Sequence, residues 1–100
     1  MKLSQTQAML TRLQELAGEW AEEATIHWSE TLCHLKWEIE DSLVHNYVTL
    51  CEGAGFSMLS HCREDRSRTL RTCNEIHNPT PAQVDAAVRN VMEGEEEAGG

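Results

Sequence analysis

Three histidines and three acidic residues recur at intervals of three or four in the middle of the chain, a spacing that invites a chemical interpretation. On an α-helix they would all project from one side, where Glu-x-x-His pairs can hold a metal and histidines can act as a pH switch. No other segment offers the complementary carboxylates of a di-metal core. The pattern therefore favours a solvated helix face, with a metal- or pH-responsive sensor as the alternative. The six residues are His27, Glu30, His34, Glu38, Asp41 and His45.

The four cysteines could supply zinc ligands or a nucleophile. His61 is next to Cys62, and Cys73 shares a predicted helix face with His77, but the paired Cys knuckle typical of structural zinc sites does not occur. We expect Cys62 and Cys73 to pack as small hydrophobic side chains. All four thiols should stay reduced, as is usual in the cytoplasm, where we place the protein.

Motifs of the common enzyme classes are absent from the sequence. It contains no Gly-rich phosphate loop, no nucleophile elbow, no His-Glu-x-x-His and no dinucleotide fingerprint. We therefore predict that the protein is not an enzyme, and we expect no catalytic residue, metal ligand or cofactor.

The net charge of −9 restricts the kind of partner. Nucleic acids and anionic membranes select for Lys and Arg, so direct binding to either is not expected. An acidic run predicts a partner with a basic surface, although a solvated helix face is the simpler interpretation. This run consists of Glu15, Glu19, Glu22 and Glu23.

Apolar residues spaced three or four apart predict an all-α fold, a small bundle of about four helices. The predicted helices cover residues 5–23, 26–51, 57–77 and 81–93, and the first two could instead form one long kinked helix. Thr80, Pro81 and Gln83 form the capping signal of the last helix, and Gly94 ends it. Residues 1–94 should form a single helical domain, followed by a disordered acidic tail over residues 95–100.

The second predicted helix has two apolar faces, which is more than a helix at the surface of a small domain needs. Either it is central to the bundle, or one face is shared with a partner or a second copy, giving a homodimer. Trp37 would anchor that face because Trp is enriched at binding hot spots. Its neighbours would be Ile26, Val44 and Val48.

Arg66 interrupts the apolar face of the third predicted helix. A buried or interfacial arginine needs a carboxylate partner. We expect either an internal ion pair with an acid from the first two helices or an anchoring contact to a partner protein.

These observations favour stoichiometric binding to another protein, as an inhibitor or regulator. Many inhibitors from phages and mobile elements, including anti-CRISPR proteins, share this small size and acidic character, and some block a basic nucleic-acid-binding surface. The analogy is one of size and charge, because no motif carries it. The alternative within the same class is a regulatory adaptor or chaperone that buries the Trp37 face against a partner helix.

Overall fold

The computed structural model describes residues 3–94, with side chains from residue 5 onward. Its centre is a five-stranded antiparallel sheet in which each strand pairs with its neighbour in sequence. A helix precedes the sheet and another follows it. The elements in chain order are α1 (Leu3–Ala17), a 3₁₀ helix (Gly18–Glu23), β1 (Thr25–Trp28), β2 (Leu32–Glu40), β3 (Val44–Gly53), β4 (Phe56–Asp65), β5 (Leu70–His77) and α2 (Pro81–Glu93).

The all-α prediction is therefore wrong across the middle of the chain. The segments predicted as helices 26–51 and 57–77 are strands β1 to β5. Within β2, Cys33, Leu35 and Trp37 are buried and alternate with polar residues, which is the period of a half-buried strand. The three-to-four spacing had combined apolar residues that belong to different strands and to opposite faces of the sheet.

Short polar turns connect these strands into hairpins. The Asp41 carboxylate accepts a hydrogen bond from the backbone N–H of Val44 at 2.8 Å and so closes the β2–β3 turn. Gly55, at φ +83°, adopts at the second position of the two-residue β3–β4 turn a left-handed conformation that glycine takes without steric cost. In the β4–β5 turn the Asp65 carboxylate accepts from the backbone of Ser67 at 3.1 Å. Side chains that hydrogen-bond to the backbone of their own turn in this way favour the turn over a helix, because they satisfy backbone groups that a helix would otherwise pair.

The predictions of the first and the last helix agree with the structure more closely. The last helix is confirmed as α2, with Thr80 and Gln83 forming the reciprocal capping box and Gly94 in the left-handed conformation. The first is confirmed only to Ala17, after which the backbone tightens into the 3₁₀ helix. The predicted disordered tail at 95–100 lies outside the described residues. No described helix has the length and apolar character needed to cross a membrane.

Both helices pack on one face of the sheet, chiefly against β2 and β3. Trp37 is the largest side chain in the shared core, 1% exposed, and its indole N–H donates to the carbonyl of Trp20 at 2.9 Å. The core also includes Leu10, Leu13 and Ala17 of α1, Val84, Val88 and Val91 of α2, and Cys33, Leu35, Val48, Leu50 and Leu59 of the sheet.

The prediction that all four cysteines are reduced thiols is also wrong. Cys62 and Cys73 face each other across β4 and β5, with Cα atoms 4.1 Å apart, and form a disulfide. Cys33 and Cys51 are free and buried.

Candidate functional site

The face of the sheet away from the helices, called the open face below, holds many of the polar side chains. Alternation along each strand turns these residues away from the core that α1 and α2 cover. No described helix packs on them, and most are only partly exposed because they cover one another. The open face includes His27, His34, Lys36, Glu38, Glu40, His45, Tyr47, Thr49, Cys51, Met58, Ser60, Glu64, Arg71 and Glu75.

Two histidines stack at one side of the open face. His27 and His34 are directly opposite in the β1–β2 register, and their ring centroids are 4.8 Å apart. Burial lowers the pKa of His34, and the positive charge that His27 can carry lowers it further. A proton on His34 would be placed against any positive charge on His27, so this contact favours the neutral form of His34.

A third histidine, His45, lies between two carboxylates. Its Nε2 atom is 2.7 Å from Glu38 Oε1, and its Nδ1 atom is 3.7 Å from Glu64 Oε1. The hydrogen bond from His45 lowers the pKa of Glu38. Arg71 adds a positive charge at 3.5 Å from the other Glu64 oxygen and donates to the Tyr47 hydroxyl at 3.1 Å. The result is a network of hydrogen bonds and ion pairs across β2, β3, β4 and β5.

One corner of this network has the donor types of a metal site. Ligand atoms of Glu38, Glu40 and His45 all lie within 4.8 Å of one another. Both carboxylates already have a cationic partner, however. Lys36 is 3.3 Å from Glu38, and Arg66 forms a close ion pair with Glu40 that lowers the pKa of that carboxyl. A metal ion would have to displace these cations, so the arrangement is that of a surface ion network.

A buried polar cluster joins α1 to the β3–β4 hairpin. Glu52, 9% exposed, accepts a hydrogen bond from Arg12 Nε at 2.9 Å and another from the Ser57 hydroxyl. No histidine or lysine adjoins Ser57 in this cluster as a base. Its arrangement satisfies a buried carboxylate, which is a structural role.

The end of the sheet beneath the C-terminus of α2 contains a cavity of about 370 Å³. His61 Nε2 is 2.8 Å from Asn46 Oδ1 at its wall, and burial lowers the pKa of His61. Arg63, Val44 and Ile39 complete much of the lining. Asn46 orients His61, but the residues that line the cavity include no Ser, Thr or Cys side chain that could act as a nucleophile beside it.

The acidic run predicted from the sequence forms an exposed surface, called the acidic segment below. Its side chains are at the end of α1 and on the 3₁₀ helix, and none has an ion-pair partner among residues 5–94. Two hydrogen bonds of Trp20 hold this segment against the rest of the domain. The indole N–H donates to Asp85 of α2 at 2.8 Å, and the backbone carbonyl accepts from the Trp37 indole. The segment consists of Glu15, Glu19, Glu22 and Glu23.

The other predicted partner-binding residues do not form one surface. Trp37 and Val48 are in the core, and Val44 is half-buried beside the cavity. Ile26 is 43% exposed on β1. The predicted ion pair of Arg66 is confirmed, because Arg66 in the β4–β5 turn contacts Glu40, but its place on a helix is wrong.

Sequence reasoning missed the cross-strand network and the buried Glu52 cluster. The signal for the network is the polar half of the alternation in β2, where His34, Lys36 and Glu38 follow one another at every second position. Pairing Glu52 with Arg12 has no local signal, because the two residues meet only through the packing of α1 on the sheet.

Comparison with known proteins gives no match to a family model, a curated protein or a solved structure. Function is therefore inferred from the surfaces described above.

Proposed function

We propose that the protein binds another protein stoichiometrically and that the acidic segment is its contact surface for a basic partner. The observation that carries this proposal is that the four glutamates of the segment are exposed and without an ion-pair partner among the described residues. Charge that is not neutralised internally is available to a partner.

Anchoring of the segment adds support. The two hydrogen bonds of Trp20 tie the 3₁₀ helix to α2 and to the core of the sheet, so Glu19, Glu22 and Glu23 extend from a fixed backbone. A pre-ordered surface loses little conformational entropy on binding. Elsewhere the acids are largely occupied: Glu38, Glu40, Glu52, Glu64, Asp85 and Glu93 all have a cationic partner.

The finer proposal is that the partner's basic surface binds nucleic acid and that the protein inhibits it by occupying that surface. The net charge of −9 and the fixed carboxylates support charge mimicry of a phosphate backbone. The adaptor alternative lacks its predicted anchor, because Trp37 is buried in the core.

The test uses a fluorescein-labelled nona-arginine peptide as the probe and fluorescence anisotropy as the measurement. Replacing Glu19, Glu22 and Glu23 with Gln should weaken binding by about tenfold, as expected if each carboxylate contributes about 0.5 kcal/mol. The wild-type titration should saturate at one peptide per chain. Affinity should also fall when NaCl is raised from about 50 to about 300 mM, because salt screens exposed charges.

The matched control replaces Glu30, Glu40 and Glu93 with Gln, which removes the same charge from other parts of the surface. It should bind nearly as well as the wild type. Equal weakening in both variants would show that net charge alone attracts the peptide, and the acidic segment would lose its assigned role. Pull-down with the same three proteins then identifies partners: a specific partner is retained by the wild type and the control and lost by the segment variant.

The cellular compartment can be tested by counting the free thiols of the protein. A cytoplasmic location is our prediction from the sequence, but the Cys62–Cys73 disulfide bears against it, since such bonds persist mainly in oxidising compartments. Alkylation of the protein in its native source, before lysis, counts the free thiols. Four free thiols would support the cytoplasm, and two would support an oxidising compartment.

A further inference from the structure

Strand β5 forms a long free edge of the sheet. All eight of its residues are exposed, and among the described strands it pairs with β4 alone. The opposite edge, β1, has four residues. Free edges present unpaired backbone N–H and C=O groups, and proteins commonly shorten them or interrupt them with proline or a bulge. β5 contains no proline, and its register with β4 runs without a bulge from Leu70 to His77.

The sequence of β5 is complementary to itself about Cys73. If two copies of β5 pair antiparallel across a twofold axis at Cys73, Arg71 of one copy is opposite Glu75 of the other. In the same register Leu70 is opposite Ile76, and Thr72 is opposite Asn74. Symmetry produces each of these pairs twice. Opposite charges and apolar pairs directly across an antiparallel ladder are stabilising.

The two faces of the sheet also match in this arrangement. Leu70 and Ile76 are on the helix side of the sheet, 49% and 37% exposed, while Arg71 and Glu75 are on the open face. A twofold axis perpendicular to the sheet keeps each face on its own side. Register shifts that keep each side chain on its own face proceed in steps of two residues, and each such step moves the twofold axis by one residue. Centring on Thr72 would place Arg71 opposite Cys73, and centring on Asn74 would place Arg71 opposite His77, so both lose the ionic pair.

Backbone geometry agrees with pairing at this edge. Cys73 and Cys62 form a close pair, with Cα atoms 4.1 Å apart, which is the spacing of a position without direct hydrogen bonds between its two residues. The N–H and C=O of Cys73 therefore point to the free edge, as do those of Arg71 and Glu75. Glu75, moreover, is exposed and has no ion-pair partner among the described residues.

We propose that two copies of this chain associate through their β5 strands, antiparallel about Cys73, to form one continuous sheet. The occupant of the free edge is thus a second copy. The proposal does not depend on the acidic segment, because the interface residues Arg71 and Glu75 do not belong to that surface. Light scattering during size-exclusion chromatography should give a mass near twice the 11.3 kDa of one chain. A single monomer peak at about 100 µM would overturn the proposal, because that concentration exceeds the micromolar dissociation constants typical of weak specific interfaces.

Charge exchange tests the register. Arg71→Glu places two pairs of glutamates opposite each other, and Glu75→Arg places two pairs of arginines opposite each other, so each variant alone should dimerise at least about tenfold more weakly. Mixing the two variants restores both ionic pairs and should yield a heterodimer. Circular dichroism checks that each variant is folded. A mixture that stays monomeric, while the wild type is a dimer, would assign the dimer to another surface and refute this one.

A cysteine experiment tests the position of the axis without altering the charges. Cys62→Ser frees Cys73, whose thiol then faces the Cys73 thiol of the second copy. Glutathione disulfide should oxidise this pair: the two thiols lose two protons and two electrons, a disulfide forms between copies, and the oxidant is reduced to two glutathione thiols. The matched variant Cys73→Ser leaves Cys62 free and away from the axis, so it should give no linked dimer. Equal linking in both variants would contradict an axis at Cys73.

Discussion

Replacing Trp37 with alanine should remove most of the stability of the domain. The indole is 1% exposed and packs among the central residues of the core. Truncating a buried Trp costs about 3–5 kcal/mol in lost burial and cavity formation. The variant also deprives the Trp20 carbonyl of its donor, which adds about 1 kcal/mol. Small domains unfold with about 5–15 kcal/mol, so Trp37→Ala should be barely folded.

The assay is urea unfolding followed by far-ultraviolet circular dichroism. Trp28→Ala is the matched control, since Trp28 is 54% exposed on β1 and its loss should cost about 1 kcal/mol or less. Trp37→Phe helps to separate packing from hydrogen bonding, because it retains most of the apolar volume while removing the N–H donor and part of the bicyclic ring. If Trp37→Ala unfolds at the same urea concentration as Trp28→Ala, Trp37 is not a core residue, and the reasoning about the sheet and its helices is refuted.

Three further predictions concern stability. Glu52→Gln should lower the unfolding free energy by about 1–3 kcal/mol in urea melts, because it weakens the hydrogen bonds of a buried carboxylate. The control Glu40→Gln, in an exposed ion pair with Arg66, should lower it by under about 1 kcal/mol. Equal costs would contradict the assigned burial of Glu52. Burial lowers the pKa of His34 and His61, so the unfolded chain binds more protons. Stability should therefore be fully present above the unfolded pKa of about 6.5 and fall as pH is lowered through it, and the double variant with Gln at both positions should flatten this slope in urea midpoints measured from about pH 8 to 5. Thr80→Ala should cost about 1 kcal/mol through loss of the α2 cap, measured as a lower melting temperature, and an unchanged melting temperature would mean that the capping box contributes nothing.

Local signals account for the parts of the fold that the sequence predicts correctly. Helix α2 carries its start and stop in the chain itself, with Thr80 and Gln83 at one end and Gly94 at the other. Backbone groups at helix ends need such partners, so the signals are strong and independent of the rest of the fold. The acidic segment is predicted for a similar reason, since charged side chains without a partner stay at the surface.

The strands were missed because two periodicities overlap in the same residues. Leu32, Leu35, Ile39 and Leu43 are spaced as on a helix, yet Cys33, Leu35 and Trp37 form the alternation that the sheet uses. Tertiary pairing decides between them, because β2 gains a ladder on both sides from β1 and β3. The placement of Trp37 followed from that choice: an apparent second helix face is the inner face of a strand.

The exposed apolar residues at the β5 edge follow from where the two helices pack on the sheet. Five strands spaced about 4.8 Å apart make a sheet about 20 Å wide between its outer strands, with side chains extending further. Two helices, each about 10 Å in diameter, span about the same width side by side, so the strands that they cover depend on where they pack. Here α1 and α2 pack mainly on β2 and β3, so Leu70 and Ile76 at the β5 end stay exposed on the helix side. A second copy paired at β5 would supply both a backbone partner for the edge and apolar neighbours for these two residues. The packing of both helices on β2 and β3 thus leaves the β5 edge open on the helix side, where the proposed second copy would pair.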